Sequence, residues 1–437
     1  MYIDSHYDVI VAGGGTAGVA AAIAAAEEGS RVLLVEAQGE LGGTGVSGGV
    51  NHWLGGRTVD CTRFVVGGLF RRFAEEATAE GIALMPPACP DSYSPFGWFK
   101  NSVLNAGIPF DRWRMSEFLD RKCLEAGVNL LFLTRVIGCK VVDGRIASVT
   151  VHNKSGMTEL SANQFIDATG DADLAAMAGA PMHLGRDGDH GMAPATLEFH
   201  LENVDEKAYS DYVHRTGSNR LLKEIEELRA KGIWKFPYER FICVRMPQEG
   251  VFMINTSRLT DVNGVDGWSV SDAMIRGRRE IFELIEIIRK YFPGFENARL
   301  RFIATMPGIR ETRRIVGEFT LTVDDLMNDC DFEDTVCFSC YGWDLPDPKK
   351  PSLQPMEKKK IRELIPIPFR IMRPKDIANL SCPGRSVSVE RDVLGPIRVM
   401  APCMAMGEAA GVYAAHPEVS FSELRDILRV RCCIVDN

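Results

Sequence analysis

Tyr7-Asp-Val-Ile-Val-Ala-Gly13-Gly-Gly15-Thr-Ala-Gly18, an alanine-rich run to Gly29, and then Arg31-Val-Leu-Leu-Val-Glu36 order a strand, a tight turn, a helix, a second strand and an acid. Tyr7 to Ala12 is apolar and β-branched enough for a buried strand. Gly13, Gly15 and Gly18 fit G-x-G-x-x-G. The first permits the turn, the second lets backbone approach a pyrophosphate, and the third lets the helix lie close on the strand. The helix, about Thr16 to Glu28, aims unpaired N–H groups and its positive dipole end at that anion. Gly29 suits a left-handed cap. Glu36, closing the strand Arg31 to Val35, accepts hydrogen bonds from a ribose hydroxyl and repels a 2′-phosphate. The stretch therefore predicts a dinucleotide site, and it fits NAD and FAD equally well.

The rest of the composition bounds the class. A chain of 437 residues holds two or three domains, or one large domain with insertions. With 46% apolar and 25% charged residues it reads as a soluble globular enzyme. A net charge of −9 argues against nucleic acid as a partner. The first strand begins almost at Met1, which leaves no room for a signal peptide, and no apolar run suggests a membrane span. A cytoplasmic protein is expected. The 12 Cys residues are scattered, as reduced buried thiols would be. Cys337-Phe-Ser-Cys340 is the only C-x-x-C, and Cys330 precedes it. A redox or metal site there lacks a second C-x-x-C, so no metal centre is expected. Cys432-Cys433 reads as an apolar or incidental pair, with a flexible dithiol tail as the alternative.

Leu41-Gly-Gly-Thr44-Gly-Val-Ser-Gly-Gly49 is too rich in glycine for a helix or strand and reads as a loop approaching a flat or anionic ligand. His52, just after it, reads as structural, with a place in the site or a flavin tether as the alternative. Gly67 to Glu80 and Asp111 to Ala126 predict amphipathic helices, the second capped by Asp111 and closed by Gly127. Asn129 to Leu133, Val136 to Val142 and Arg145 to His152 predict strands, with a hairpin at Asp143-Gly144 and another turn at Asn153 to Gly156. Phe165-Ile-Asp167-Ala-Thr-Gly170-Asp-Ala-Asp173 predicts a strand end opening onto glycine, where open α/β sheets bind ligands. From about Pro181 to Phe369 the β-α-β punctuation disappears. Strands at Thr196 to Leu201, Phe241 to Arg245 and Val251 to Asn255 mix with helices at Arg220 to Lys231 and Ser271 to Phe292, which predicts an inserted α+β substrate domain. Pro307-Gly-Ile-Arg310-Glu-Thr-Arg313-Arg314 reads either as a solvated charge cluster or as a carboxylate clamp, since guanidinium forks match carboxylates. Gly384-Arg385, then Ile397-Arg-Val-Met400 and Gly407-Glu-Ala-Ala-Gly411, predict a late turn and a helix of small residues whose start brings a positive pole near Arg398. Met400, Met404 and Met406 read as core filling.

Taken in this order, these blocks resemble the FAD-dependent oxidoreductases of the glutathione-reductase-like superfamily. The branch they look most like is the one related to the flavoprotein subunits of heterodisulfide and fumarate reductases. The resemblance implies an α/β fold: a Rossmann-like FAD-binding domain, its parallel sheet carrying a β-meander, with the α+β substrate domain inserted. Residues 1–50, 128–182 and 370–430 would form the FAD-binding domain, 51–127 a helical insertion, and 183–369 the substrate or cap domain. It implies non-covalent FAD held by Gly13, Gly15, Thr16, Ala17, Gly18, Glu36, Ala37, Gly42, Gly43, Thr44, Val136, Ala168, Thr169, Gly170, Gly384, Arg385, Arg398 and Met400. Glu390 to Pro396, and Cys382-Pro383 in place of the usual Ala before Gly384-Arg385, depart from the family pattern at the expected substrate face. No second G-x-G-x-x-G marks a nicotinamide domain. The expectation is hydride transfer between flavin and a small organic, carboxylate-bearing substrate, with Arg310, Arg398 and Arg313 as catalytic candidates and a redox partner protein as second substrate. An electron-transfer subunit and a non-redox FAD-dependent isomerase or lyase stay open, as does the oligomeric state.

Overall fold

The strand His6–Ala12 lies in the middle of a seven-stranded sheet in the computed structural model, which describes residues 5–88, 106–218 and 220–436. The order is Asn129–Leu131, Val32–Val35, His6–Ala12, Gly156–Asp167, Arg145–Asn153, Arg135–Val142, with Leu380–Ser381 added beside Gly156–Asp167. The first four and the added strand run parallel, in a register that sets Val9 beside Val32 and Val11 beside Ile166. Both faces of these strands are covered, so Val9, Ile10, Val11, Val32 and Leu34 are fully buried. The other two strands form the expected meander. Its first turn, Asp143-Gly144, holds φ of 50° and 69°, as a tight hairpin demands.

Gly156–Asp167 is one strand of 12 residues, where the sequence suggested only its apolar end. Its first half pairs antiparallel with Arg145–Asn153, and its second half pairs parallel with His6–Ala12 and Leu380–Ser381. The first half is half solvated, so its polar residues conceal the strand from an apolar-run reading.

Helix Thr16–Glu27 is buried between this sheet and helix Met400–Ala415. Small residues make the contact: a Cβ added at Gly407 would fall 2.1 Å from Ala17 O, and one at Gly411 would fall 2.2 Å from Ala21 O. Helices Gly68–Ala79 and Arg112–Glu125 pack on the same core. The second starts at Asp111, whose Oδ1 accepts from Arg114 N at 2.8 Å, as the cap expected there would.

A second layer is antiparallel, in the order Cys243–Arg245, Phe252–Ile254, Phe199–Glu202, Arg299–Ile303, and is covered by the long helix Gly267–Tyr291. Its core runs from Ala195 to Ala304, with Phe241, Phe252 and Phe295 set edge-on around Tyr209. Side chains from Leu321 to Phe369 pack instead in the core shared with Thr16–Glu27 and Met400–Ala415. The strand expected from Thr196 begins at Phe199, because Ala195 and Thr196 leave the sheet to bridge Leu259 and Gly308. The glycine loop contains one 3-10 turn, Gly43–Gly45, made possible by positive φ at Gly42 and Gly43. No helix among the described residues is long and apolar enough to cross a membrane.

Candidate functional site

The parallel strands converge on a cradle of backbone. Gly13 turns with φ of 100°, and a Cβ there would lie 2.5 Å from Ala168 O at the end of the neighbouring strand. A Cβ at Gly18 would fall 1.8 Å from Gly13 O. At Gly15 the space is open. Gly15 caps helix Thr16–Glu27 without a side-chain hydrogen bond, and the first turn carries no acid. The helix therefore presents N–H groups and a positive pole with no acid of its own first turn in competition. Gly42 N donates to Gly14 O at 2.8 Å, and Gly43 sits against Gly15, where its Cβ would be 2.9 Å from Gly15 Cα. Gly384, with φ of 104°, faces the Ala17 methyl. Met400 Sδ covers Gly45.

Glu36 stands beside this turn. Its Oε2 accepts from Gly14 N at 2.5 Å and its Oε1 from Gln38 N at 2.6 Å. Burial pushes its carboxyl above the ordinary value, against these hydrogen bonds. Ala37 follows it, half-buried, and Thr134, two residues before Val136, donates its N–H to Glu36 O at 3.0 Å. The adenosine-side candidates are thus neighbours.

The block Asp167 to Asp173 joins the cradle to the second layer. Asp167 is buried and accepts from Thr169 Oγ1 at 2.7 Å and Ala175 N at 2.9 Å, fixing the turn at Gly170. Asp171 Oδ1 accepts from Thr312 Oγ1 at 2.7 Å and from Arg385 Nη1 at 2.7 Å. The Arg385 guanidinium lies over Gly170.

The cations of Pro307 to Arg314 divide. Arg313 pairs with Asp173 Oδ1 at 2.8 Å and donates to Asp171 O at 3.0 Å. Arg314 is buried and donates to Val389 O and Gly185 O. Glu311, also buried, accepts from Arg391 and from Ala193 N. Only Arg310 of this segment turns toward a second charged group, donating to Pro194 O at 2.5 Å. Arg398 joins that group, with Nη2 2.6 Å from Asp344 O and 3.2 Å from Asp344 Oδ2. Tyr341 donates to the same carboxylate at 3.2 Å. Burial, then the neighbouring cations Arg258 and Arg398, hold Arg310 down to about 9. Burial pushes Asp344 up, but Arg398, Arg310 and Arg258 outweigh it and hold the carboxyl below its ordinary value. Arg310 and Arg398 thus share one field, and Arg313 stands apart from it.

Sequence reading missed Glu198, Arg258, Tyr341 and Asp344. Glu198 had a visible signal: it is the only charged residue in the run Pro194 to Leu201, apart from the titratable His200. Burial raises its carboxyl to about 8, against Arg258 and Arg310. The histidines take structural places. His52 is packed against Gly107, His190 is exposed, and His200 Nε2 donates to Gly49 O at 3.1 Å. Cys330 is half-buried and Cys337 and Cys340 are buried, all as free thiols. No three His, Cys, Asp or Glu side chains among the described residues are grouped as metal ligands would be. The tail bearing Cys432 and Cys433 is docked, with Gly68 N on Cys432 O at 2.9 Å.

The model of the family described as FAD dependent oxidoreductase matches residues 8–430. The chain belongs to that family. It is a flavin-dependent enzyme and FAD is its cofactor. A comparison with curated proteins returned no match. Similar solved structures include a geranylgeranyl bacteriochlorophyll reductase-like protein from Thermoplasma acidophilum (TM-score 0.49, 13% identity, covering 98% of this chain and 84% of that chain). Others are p-nitrophenol 4-monooxygenase from Pseudomonas putida DLL-E4 (TM-score 0.45, 12% identity, 98% and 84%) and glycine oxidase from Bacillus cereus ATCC 14579 (TM-score 0.43, 12% identity, 96% and 97%). The cradle fits the cofactor: open backbone at Gly15, a helix start with no acid in its first turn, and a buried acid beside both.

Proposed function

We propose that the enzyme oxidises or reduces a small, carboxylate-bearing organic substrate, and that the substrate lies against Arg310 and Arg398. When bound, FAD supplies the two-electron acceptor or donor for the substrate's hydride. Helix Thr16–Glu27 and the turn Gly13 to Gly18 hold the diphosphate, with Gly42, Gly43 and Thr44 along it. Glu36 holds the adenosine ribose, and Ala37 and Val136 flank the adenine. Ala168, Thr169, Gly170, Gly384, Arg385, Arg398 and Met400 close over the remainder. FAD is held without a covalent bond, so acid precipitation is expected to leave the polypeptide colourless.

One observation carries the substrate reading. Arg258, Arg310 and Arg398 share a field that contains one hydrogen-bonded carboxylate, Asp344. Guanidinium groups drawn out of water in excess of their carboxylate partners select an anion, and here Arg258 is buried and Arg310 and Arg398 half-buried. Arg398 adds a positive charge near the end of the cradle, and Arg313 acts through Asp171 and Asp173 by holding the strand in place.

The motif order supports a place in the glutathione-reductase-like superfamily, beside the heterodisulfide and fumarate reductase flavoprotein subunits. It also supports the domain division 1–50, 128–182 and 370–430 for FAD, 51–127 as a helical insertion, and 183–369 for substrate, with the side chains from Leu321 to Phe369 packed on the FAD side of that division. A cytoplasmic location and a separate redox partner protein belong to the same reading. Anaerobic mixing with matched acids and amides tests it. Acids alone should bleach the flavin absorbance, and Arg310→Ala should slow them about a hundredfold. Equal loss on neutral substrates would remove the carboxylate clamp.

A further inference from the structure

Glu198 is fully buried, and neither of its carboxyl oxygens has a hydrogen-bond partner among the described residues. Buried carboxyls are ordinarily paired, so this one lacks a donor that something else must bring. The backbone explains its place. Thr196 is bridged to Gly308 on one side, and Ala195 to Leu259 on the other. Arg258 Nη1 donates to Thr196 Oγ1 at 3.0 Å, and Arg310 reaches Pro194 O at 2.5 Å. Alternation puts Thr196 and Glu198 on one face of this extended segment, so Arg258, bound to Thr196 Oγ1, shares it, and Arg310 lies beside the segment on Pro194 O. Gly49, from the glycine loop, passes directly above: a Cβ there would fall 3.0 Å from Glu198 Cβ.

We propose that this charged group takes a 2-hydroxycarboxylate, with the carboxylate on Arg310 and the hydroxyl hydrogen-bonded to Glu198; this rests on the carboxylate reading above. Charge balance favours an anion, and the unpaired Glu198 favours a hydroxyl beside it. Arg258, Arg310 and Arg398 bring three positive charges and Asp344 one negative, and Glu198 sits in the field of the first two. A monoanion balances this set better than a zwitterionic amino acid, which brings no net charge. A plain carboxylate leaves Glu198 unpaired. A neighbouring hydroxyl satisfies it in either protonation state, since a hydroxyl donates to the carboxylate and accepts from the protonated acid. The groups facing Glu198 are Arg258 and Arg310, with Arg398, Asp344 and Tyr341 beyond. With the carboxyl raised to about 8, anion binding is accompanied by a protonated Glu198, and affinity falls as pH rises above that value.

The test is calorimetric titration of the FAD-loaded protein with 2-hydroxyisobutyrate, isobutyrate, 2-aminoisobutyrate and isobutyramide. The hydroxy acid has no hydrogen on its hydroxyl-bearing carbon, so binding is read without turnover. It should bind about tenfold more tightly than isobutyrate or the amino acid, as one hydrogen bond to a buried carboxyl predicts. Glu198→Leu should reduce that ratio to about one. Glu198→Gln should keep the preference and lose the weakening above pH 8, apart from what Arg310 contributes to both proteins. A hydroxyl preference that is absent in the wild type, or survives in Glu198→Leu, overturns the proposal. Should Glu198→Leu fail to fold, a pH response unchanged in Glu198→Gln overturns it. Isobutyrate binding no better than isobutyramide, or no binding by any acid, defeats the carboxylate reading itself. Isobutyrate beating the amide with no gain from hydroxyl defeats only the Glu198 assignment.

Discussion

Replacing Gly407 by alanine probes the packing that holds the cradle. Gly407 lies inside helix Met400–Ala415, where alanine is the better helix former by about 1 kcal/mol. Propensity alone therefore predicts a more stable protein. Packing predicts the reverse. The new Cβ would lie 2.1 Å from Ala17 O and 2.9 Å from Ala17 Cα, whereas real Cβ contacts are not shorter than 3.0 Å. The helices must part by the difference, about 0.9 Å. The obstructing atoms are backbone, so no rotamer relieves the contact, and the cost belongs at the upper end of overpacking, about 3 kcal/mol. The net expectation is a loss of about 2 kcal/mol, or about thirtyfold in the folding equilibrium. Urea unfolding of the FAD-free protein reads this as a lower midpoint at unchanged slope. Gly267→Ala is the comparison: Gly267 opens helix Gly267–Tyr291 and a Cβ there meets nothing within 4 Å. It should be neutral or stabilising. Ala17 also belongs to the turn proposed to hold the diphosphate, so the Gly407 variant should hold FAD more weakly than the Gly267 variant. A Gly407→Ala protein as stable as wild type would refute the reasoning, because it would mean the helices have slack that the backbone contact denies.

Glu36→Gln turns an amide nitrogen toward Gly14 N or Gln38 N, leaving one buried N–H opposed; FAD titration of the apoprotein should show affinity lower by tenfold or more, at about 1–3 kcal/mol for an unsatisfied group. Arg313→Ala should change turnover only a few-fold while lowering stability by about 1 kcal/mol, since its guanidinium pairs with Asp173 rather than facing Asp344; a loss equal to that of Arg310→Ala in steady-state assays would contradict this placement. Burial holds the His200 imidazole down to about 4 from 6.5. Between those values only the unfolded chain takes up the proton, so stability present above pH 6.5 is lost on acidification toward 4, about 3 kcal/mol in all. His200→Gln should flatten that part of the stability curve in urea titrations at successive pH values.

What was legible in the sequence was whatever a short segment must do by itself. Gly13 needs its positive φ for one turn, Asp143-Gly144 for one hairpin, and Asp111 caps the helix that follows it. Each is decided within a few residues, so composition and spacing suffice. Pro307 to Arg314 shows where that logic stops. In sequence it is one cationic cluster; in space Arg310, Glu311, Arg313 and Arg314 meet four different partners, Pro194, Arg391, Asp173 and Val389. A strand sends successive side chains to opposite faces, and only the register of the neighbours says what waits on each. Arg314 beside His183, and Thr196 beside Gly308, are such registers, and neither is written in the segment itself.

The same point explains why separate blocks of the chain form one site. Asp171 accepts from Thr312 and Arg385 through its carboxylate and from Arg313 through its carbonyl. Three blocks that lie far apart in the chain are therefore one hydrogen-bonded unit at the mouth of the cradle. None of them completes its geometry alone: Gly170 needs the Arg385 guanidinium over it, and Arg385 needs the Asp171 carboxylate to stay there. Arg310 lies three residues before Arg313, donates to Pro194 O, and stands in the electrostatic field of Arg258 and Glu198. The cradle and the charged group around Arg310 are thus joined through the Arg313–Asp171–Arg385 bonds.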